Sequence, residues 1–206
     1  MIRSYPSKGD VAVGKLGRDF FNRDTVQVAR DLLGKVLVRR VDGQILSGRV
    51  TETEAYVGRM DKACHAYGYK RTPRTETLFA PPGTAYIYLI YGIYHCLNFV
   101  TEPEGEPSAV LLRGLEPMEG LAEMARRRFG KEPEQLTSYQ KKHILDGPGK
   151  VCMALDLTRA QNGLDLTGEE LFLLDDGAPC PPIHTGTRIG IDYAEEAVAF
   201  PWRFYL

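Results

Sequence analysis

The sequence predicts an α+β fold, in which helices flank a curved, mostly antiparallel β-sheet with one protruding β-hairpin. Segments with strand character cluster early in the chain, and the helical segments do not alternate with them as in a parallel sheet. The chain has 206 residues, of which 43% are hydrophobic. It is therefore long and apolar enough to form one domain with a substantial core.

The N-terminal part of the chain predicts an arm followed by a short helix. Residues 1–17 are rich in Gly, Lys and Ser and are expected to form a flexible arm ahead of a domain spanning residues 18–206. Asp24 to Gln27 resembles a capping box, in which the first and fourth side chains bond the free N–H groups of a new helix. Gly34 is expected to end that helix.

A long hairpin and a long loop come next. Residues 35–41 and 44–56 have strand character, and Asp42-Gly43 between them is typical of a tight hairpin turn. Residues 57–82 have no periodicity and contain Gly, Pro, Arg and Lys, which predicts a loop. Loops of this length in a compact domain usually carry function.

The middle of the chain predicts a second hairpin, a further strand and a helix. Residues 84–91 and 93–100 are rich in β-forming side chains and flank Gly92, while residues 108–115 read as another strand. Residues 117–128 are expected to be helical, because a proline at the first helical position is favourable.

The C-terminal part predicts a broken helix and three closing strands. Residues 136–155 have helical character that Gly147-Pro148-Gly149 interrupts. Residues 171–174, 187–191 and 203–206 are expected to be strands that complete the sheet.

The formal net charge of −1 conceals an uneven distribution. Residues 59–74 contain five basic and one acidic residue, residues 121–150 seven and four, and residues 151–206 three and nine. One face could therefore meet phosphates while another faces water. Charge alone equally allows that Arg126 to Arg128 form a solvated helix face.

Several classes of protein are disfavoured. No apolar run approaches the roughly 20 residues of a membrane span, and the N-terminus has no signal-peptide pattern. The four cysteines form no CxxC pair, so we expect a reduced, cytoplasmic protein. Cys64-His65 and His95-Cys96 invite a zinc interpretation, but they lack any standard ligand spacing, and we predict neither a metal nor a cofactor.

Two acidic side chains and a tyrosine alternate along one predicted strand. Glu52, Glu54 and Tyr56 share a face because strand side chains alternate. A glutamate in a strand usually lies on a solvent-exposed face of the sheet. In the functional alternative, Glu54 points into a pocket with Tyr56. His65 in the following loop is likewise either a surface residue or part of that pocket.

The tyrosine-rich run that follows is also open to two interpretations. Tyr86 and Tyr88 alternate with aliphatic residues, as in any buried strand. Gly92 predicts a turn, so Tyr91 beside it would lie at the tip of a hairpin, where an aromatic ring cannot serve the core. Asn98 and Arg113 interrupt apolar strands and need polar partners if they are buried.

Taken together, these motifs resemble the alkyladenine (3-methylpurine) DNA glycosylase family. The resemblance covers nearly everything after residue 17 and is spread over many ordered blocks, so it is far more specific than one short motif. The matching blocks are residues 32–35, 52–56, 65, 72–74, 82–84, 86–94, 96–98, 110–113, 115–117, 147–150 and 203–205.

The resemblance implies which residues carry out the chemistry. Glu54 would activate the attacking water, and Arg113 would lie beside Glu54 and the flipped nucleotide. A purine alkylated on a ring nitrogen is already a good leaving group, so one carboxylate and one water can suffice. The matching blocks at residues 52–56, 86–94, 96–98 and 110–113 contain no lysine. We therefore expect a monofunctional enzyme that leaves an abasic site.

The resemblance also implies a base-binding pocket. Tyr56, His65 and Tyr88 would sandwich the flipped base, and Asn98 would lie where a purine amino group is tested. Stacking on aromatic rings stabilises a bound base by roughly 1–3 kcal/mol.

The remaining matched residues are implied to contact DNA. The hairpin would enter the minor groove, where Tyr91 fills the gap left by the flipped base, while Ile93 occupies a position at which relatives vary. Thr72 and Arg74 are expected to contact DNA, and Lys150 and the Gly147–Gly149 turn to approach backbone phosphates. The expected partner is double-stranded DNA that contains damaged purines, bound by a monomer in the cytoplasm, or at the nucleoid if the source is bacterial.

Two rival functions remain open at this point. The first is a non-catalytic module that binds damaged DNA on the same scaffold, which the presence of Glu54 disfavours. The second is a metal-dependent hydrolase of phosphate esters or RNA, which activity in excess chelator would exclude.

Overall fold

The computed structural model describes residues 14–206, and its centre is an eight-stranded antiparallel sheet. The main path of the sheet runs β3-β4-β5-β2-β1-β6, and the short β8 pairs with both β2 and β7. The strands are β1 (Val36–Val41), β2 (Gln44–Val57), β3 (Ala85–Ile90), β4 (Tyr94–Thr101), β5 (Ser108–Glu119), β6 (Leu171–Leu174), β7 (His184–Gly186) and β8 (Arg203–Tyr205).

Helices cover the sheet and enclose the core, which confirms the predicted α+β class. Of these, α2 packs on β2 and β5, whereas α5 packs on β4 and β5. Fully buried side chains such as Leu32, Phe99 and Leu112 fill the space between. Each contributes about 1.5–3 kcal/mol by leaving water. The helices are α1 (Arg18–Phe21), α2 (Thr25–Asp31), α3 (Leu121–Phe129), α4 (Ser138–Lys142) and α5 (Pro148–Ala154).

The first hairpin confirms its sequence signals. Asp42 and Gly43 join β1 to β2 with φ angles of 51° and 73°. Positive φ at both central residues gives the turn whose twist matches that of the strands.

Helix α2 begins and ends as predicted. The Asp24 side chain accepts a hydrogen bond from the Gln27 N–H at the start of α2, and Gly34 adopts a φ of 81° after the helix ends.

The predicted helix over residues 117–128 is wrong at its start. Pro117 lies inside β5 opposite Gly48, and α3 begins only at Leu121. The long strand β2 offers backbone partners as far as Glu119, so β5 continues past the proline. Gly120, with a φ of 83°, makes the turn into the helix.

Two C-terminal predictions also need correction. Residues 136–155 contain two separate short helices, α4 and α5. The segment Gly147-Pro148-Gly149, which was expected to interrupt a helix, lies at the start of α5. The strand predicted over residues 187–191 lies instead at His184–Gly186. Residues 188–191 leave the sheet because the Arg188 side chain binds Asp61, the Ile189 N–H binds the Glu54 carboxylate, and Gly190 turns with a φ of 75°.

The N-terminal segment is described only from residue 14. Lys15 forms a β-bridge with Leu174, and the Leu16 N–H donates to the Leu173 carbonyl, so this end of the predicted arm lies along β6. Residues 1–13 of the predicted arm lie outside the described residues.

The loop over residues 58–84 and the second hairpin frame the site described below. The loop contains two short 3₁₀ turns, Tyr67–Tyr69 and Glu76–Phe79. Strands β3 and β4 pair in an antiparallel hairpin that turns at residues 91–93. Its protrusion into DNA stays a prediction. Within the part of the chain that the structure describes, no helix has the length and apolar character needed to cross a membrane.

Candidate active site

A cavity of about 670 Å³ opens between the sheet and the loops around it. Its walls come from β2, β3, β4 and β5, the long loop, the end of α3, the start of α5 and residues 189–191 and 193. The structure therefore gathers side chains from distant parts of the sequence. The predicted site residues that line it are Tyr56, His65, Tyr88, Tyr91, Asn98, Arg113 and Lys150.

Glu54 lies directly behind this lining and is fully buried. It is near the end of β2, opposite Leu111 of β5 on one side and Arg203 of β8 on the other. A carboxylate in such a position is costly unless donors surround it. The structure thus favours the pocket alternative for Glu54 over a solvated strand face.

Three donors surround the Glu54 carboxylate. The Tyr56 hydroxyl donates to Oε2 at 2.7 Å, and the Ile189 N–H donates to Oε1 at 2.8 Å. Arg113 Nη1 lies 3.4 Å from Oε2 and adds a positive charge. Burial and then Glu54 raise the pKa of Tyr56 far above its ordinary value, so its hydroxyl keeps the donated proton.

Arg113 is held by a second carboxylate. Glu52 Oε1 accepts from Arg113 Nε at 2.9 Å and from Arg203 Nε at 2.6 Å. Glu52 thus orients the guanidinium that reaches Glu54. It is also the polar partner that the sequence predicted for a buried Arg113. The two glutamates therefore have different surroundings, because Glu52 pairs with two arginines, whereas Glu54 meets a tyrosine hydroxyl, a backbone N–H and one arginine.

In the aromatic wall of the cavity, the His65 ring meets the Tyr86 and Tyr88 rings edge to face. The centroids of His65 and Tyr88 are 4.6 Å apart with an interplanar angle of 77°, and His65 Nδ1 lies 3.1 Å from the Tyr86 hydroxyl. A flat base that lies on one of the first two rings therefore meets the edge of the other. Edge-to-face contacts of this kind are favourable.

His65 is a neutral ring in this environment. Burial, with a smaller effect from Arg74, lowers the pKa of His65 to about 4. The ring is therefore uncharged at neutral pH. A neutral imidazole can lie against a cationic base without the repulsion that an imidazolium would exert.

Asn98 is buried and oriented by the backbone. Its Nδ2 group donates to the carbonyl oxygens of Tyr86 at 3.1 Å and Cys96 at 3.3 Å. These bonds answer the need for partners that the sequence indicated. They also direct the side-chain oxygen away from the two carbonyls, in a residue that lines the cavity.

The turn of the β3–β4 hairpin carries the most exposed aromatic side chain at the cavity. Tyr91 is 82% exposed and has a φ of 53°, and Ile93 is 66% exposed. Gly92 between them has a φ of 72°. A left-handed tyrosine is unfavourable, so the turn displays this ring at the expense of backbone strain.

Arg74 lies beside the cavity in the long loop, and Thr72 lies two residues before it. The hydroxyl and N–H of Thr72 both contact the Thr75 hydroxyl, which folds the loop onto itself. The Arg74 guanidinium lies 5.4 Å from the centroid of the Tyr88 ring, and its Nη2 lies 3.5 Å from His65 Nε2. Arg74 therefore brings positive charge to the aromatic wall.

Lys150 stands at the rim on α5. Its Nζ pairs with Asp146 at 2.7 Å, one turn earlier. Pro148 begins the helix, and a Cβ added to Gly149 would lie 3.0 Å from Tyr94. A glycine thus allows α5 to pack closely on β4, which brings Lys150 to the cavity.

Some lining residues were not foreseen from the sequence. Arg128 faces the cavity and donates to the Ile144 carbonyl at 3.1 Å, whereas Arg126 pairs with Glu123 and Glu132 on the outer helix face. Arg126 thus lies on a solvated helix face, whereas a phosphate contact by Arg128 stays a prediction. Residues 189–191 and 193 also line the cavity, although no side-chain motif marks them. Among residues 14–206, no cluster of three His, Cys, Asp or Glu side chains is arranged to hold a metal ion.

A buried carboxylate beside a cavity large enough for a flat base suits the class of hydrolases that cleave an N-glycosidic bond. Comparison with known proteins gives the family. Residues 19–206 match the family model of methylpurine-DNA glycosylase, and the chain belongs to that family. It is therefore a DNA glycosylase, a hydrolase of DNA repair, as the resemblance predicted.

Close relatives carry a consistent name. The chain is 54% identical over 195 residues to a Clostridium perfringens protein named "Putative 3-methyladenine DNA glycosylase", and the match covers 93% of this chain and 95% of that protein. Proteins with the same name from Alkaliphilus oremlandii and Desulfitobacterium hafniense are 52% and 50% identical over 192 residues, with the same shares covered.

Proposed function

We propose that this glycosylase flips alkylated or deaminated purines, 3-methyladenine among them, out of duplex DNA and hydrolyses their N-glycosidic bond. One observation carries the proposal. Glu54 is fully buried, meets three donors, and stands behind a cavity lined by aromatic rings. Such a cavity suits a flat base that has left the helical stack.

In the proposed reaction, Glu54 accepts a proton from a water molecule whose oxygen attacks C1′ of the sugar. The bond between C1′ and the purine nitrogen breaks, and its electron pair leaves with the base. A cationic alkylated purine leaves as a neutral base, whereas a neutral purine such as hypoxanthine leaves as an anion and takes up a proton from solvent. The sugar passes through an oxocarbenium-like state that the carboxylate stabilises. Arg113 and the Ile189 N–H hold the carboxylate in place, and the products are a free base and an abasic site.

The aromatic wall would select the base. Tyr56, His65 and Tyr88 offer π-faces and edges, and stacking contributes roughly 1–3 kcal/mol. Cationic bases gain a further cation–π contribution of about 0.5–2 kcal/mol on electron-rich rings. Asn98 would test the substituents on the purine edge, since its amide is fixed by two backbone carbonyls.

The rim would bind the duplex. Tyr91 and Ile93 would enter the minor groove, and Tyr91 would fill the space left by the flipped base. Thr72, Arg74 and Lys150 would contact backbone phosphates. We propose that the enzyme acts as a monomer, in the cytoplasm or nucleoid of a bacterial cell.

The proposed reaction needs no Schiff base. Lys150 is the lysine that lines the cavity within the described residues, and its Nζ is paired with Asp146. An amine held as an ammonium ion is a poor nucleophile. Borohydride treatment during turnover is therefore expected to trap no covalent protein–DNA adduct.

The deciding experiment uses duplexes that each carry one lesion, with an unmodified guanine duplex as control. Excision of 3-methyladenine, 7-methylguanine, hypoxanthine and etheno-adenine is measured as abasic-site formation in excess chelator. We expect base release from at least one lesion duplex and an unchanged rate with chelator. Tight binding without base release would support the non-catalytic module instead, and loss of activity in chelator would support a metal-dependent hydrolase.

A further inference from the structure

A buried ion pair lies behind the cavity, outside the set of residues assigned above. The side chains of Arg188 and Asp61 are both fully buried, and Arg188 Nη2 donates to Asp61 Oδ1 at 2.8 Å. The same guanidinium donates to the Ala55 carbonyl at 2.8 Å and to the Ala197 carbonyl at 3.1 Å. One side chain therefore ties together β2, the long loop and the segment before β8.

This arginine contacts the two residues of β2 that follow Glu54. Its guanidinium bonds the Ala55 carbonyl and lies 4.7 Å from the centroid of the Tyr56 ring, with Trp202 on a second face at 5.2 Å. The next residue along the chain, Ile189, donates its N–H to Glu54 Oε1 at 2.8 Å. Arg188 is thus adjacent to two of the three donors that Glu54 meets.

We propose that Arg188, clamped by Asp61, is a positioning residue that aims the Ile189 N–H and the Tyr56 hydroxyl at Glu54. The inference rests on the proposed role of Glu54 in hydrolysis. Arg188 does not touch the substrate in this account. It acts through the backbone of its own segment, which includes the Ile189 N–H, and through its contact with the Tyr56 ring.

The energetics of burial support a geometric role. Replacing a buried ion pair with apolar side chains of similar size is often neutral or stabilising, so such a pair is weak evidence for stability. Asp61 also accepts from the N–H groups of Val57 and Ala63, which fixes the anion in one orientation. A planar guanidinium with several fixed donors holds its partners in one arrangement, which a lysine ammonium cannot reproduce.

The first test replaces the side chain and the backbone donor separately. Arg188→Lys keeps the positive charge but loses the planar guanidinium and its fixed N–H donors. Replacing Ile189 by its α-hydroxy acid removes the N–H alone and leaves the Arg188 side chain intact. Each change is expected to slow single-turnover excision by about 10²-fold, as small misplacements of reacting groups do. Binding to a duplex whose lesion nucleotide carries a 2′-fluoro group, which resists hydrolysis, should stay within about twofold of the parent enzyme.

Combining the two changes separates a positioning role from a merely structural one. If Arg188 acts through the Ile189 N–H, Arg188→Lys in the α-hydroxy protein should cost less than about tenfold further, because the two changes remove one shared interaction. Full multiplication of the two losses would overturn the inference. Arg39→Lys is the matched control, since Arg39 is also buried and paired, with Glu170, and is expected to leave the rate unchanged.

The pH profile gives an independent readout. Losing a donor to Glu54 should move the acid limb of the rate profile to higher pH in both single variants, because the carboxylate becomes easier to protonate. Four other titratable or charged side chains lie near the Glu54 carboxylate or near Glu52, and neither variant alters them. They are Tyr56 on β2, Cys96 on β4, Arg113 on β5 and Arg203 on β8. Unshifted limbs would overturn the inference, whereas an inactive parent enzyme would instead overturn the proposed function.

Discussion

The interior of the cavity and its rim are built in opposite ways. Inside, Glu54 is fully buried and meets three donors, and the His65 ring is packed against Tyr88. At the rim, Tyr91 is 82% exposed on a turn with positive φ angles, and the Lys150 Nζ is paired at the surface with Asp146. The interior is arranged before any DNA arrives, whereas the rim displays groups that a partner would cover.

This difference separates the two kinds of work that a base-excising enzyme must do. Preorganised dipoles and charges lower a barrier because they do not have to reorient during the reaction. Exposed aromatic and basic groups instead contribute when a duplex is bent, opened and held. Changes inside the cavity should therefore impair the chemical step, and changes at the rim should impair the delivery of the base.

The largest expected effect belongs to the interior. Glu54→Gln keeps the shape of the side chain but removes the base and the negative charge. Single-turnover excision should fall by at least about 10²-fold while duplex binding is retained. The loss should be greatest for hypoxanthine, because a neutral base leaves poorly and depends more on the enzyme.

Glu52→Gln is the matched control for that change. Glu52 accepts hydrogen bonds from Arg113 and Arg203, so its loss should loosen the site and slow excision by less than the loss of Glu54. Thermal melts should first show that both variants are folded. A dead Glu52 variant beside a near-normal Glu54 variant would overturn the catalytic assignment.

The next largest effect belongs to the rim. Tyr91→Ala should reduce excision from duplex DNA by about 10–100-fold, on the scale of one lost stacking contact, and should affect single-stranded substrates much less. Tyr139, which is 71% exposed, provides the control, because Tyr139→Ala should leave both substrates unaffected. Equal losses on duplex and single strands would mean that Tyr91 only supports the hairpin.

A pH effect on stability should distinguish the interior again. The pKa of His65 is about 4 in the folded protein, against an ordinary value near 6.5. Between these values the unfolded chain binds a proton that the folded protein does not, so stability is complete above about pH 6.5 and falls as the pH drops towards 4. His65→Gln should remove a slope of up to about 1.4 kcal/mol per pH unit from the unfolding free energy. Denaturant titrations of both proteins from pH 4 to 8 measure it, and parallel profiles would contradict the neutral buried ring.

The smallest effect is expected from Lys150. Its pair with Asp146 is partly exposed and contributes little, so the lysine is free to exchange that partner for a phosphate. Lys150→Met should reduce the slope of log affinity against log salt by about one, while leaving the cleavage of bound DNA unchanged. Lys141→Met on α4 should not alter the slope. If Lys150→Met leaves the slope intact as well, the DNA face has been misplaced.

Much of this arrangement was predictable because it depends on local patterns. Alternation along one strand brought Glu52, Glu54 and Tyr56 to one face. The polar interruption at Arg113 indicated a polar partner without saying which, and the two glutamates supply it. The Asp42-Gly43 turn followed from its own dihedral preferences. The resemblance then distinguished Glu54 from Glu52, which alternation alone could not do.

The parts that escaped prediction depend on distant or backbone groups. The Ile189 N–H is 135 residues from Glu54 in sequence and has no side-chain signal. Arg188 and Asp61 are 127 residues apart, so their pairing follows only from the folded sheet. Pro117 misled the helix prediction because a proline also fits a strand where its missing N–H is tolerated, as it is opposite Gly48 at a register shift in β5.

The same separation has a consequence for the newly made protein. Ribosomes add about 5–20 residues per second, so the 135 residues between Glu54 and Ile189 take roughly 7–27 s to synthesise. During that interval the carboxylate exists without the N–H donor, and β8 with Arg203 follows later still. On the proposed role of Glu54, the nascent chain is therefore expected to gain activity only after nearly all of the described fold has been made.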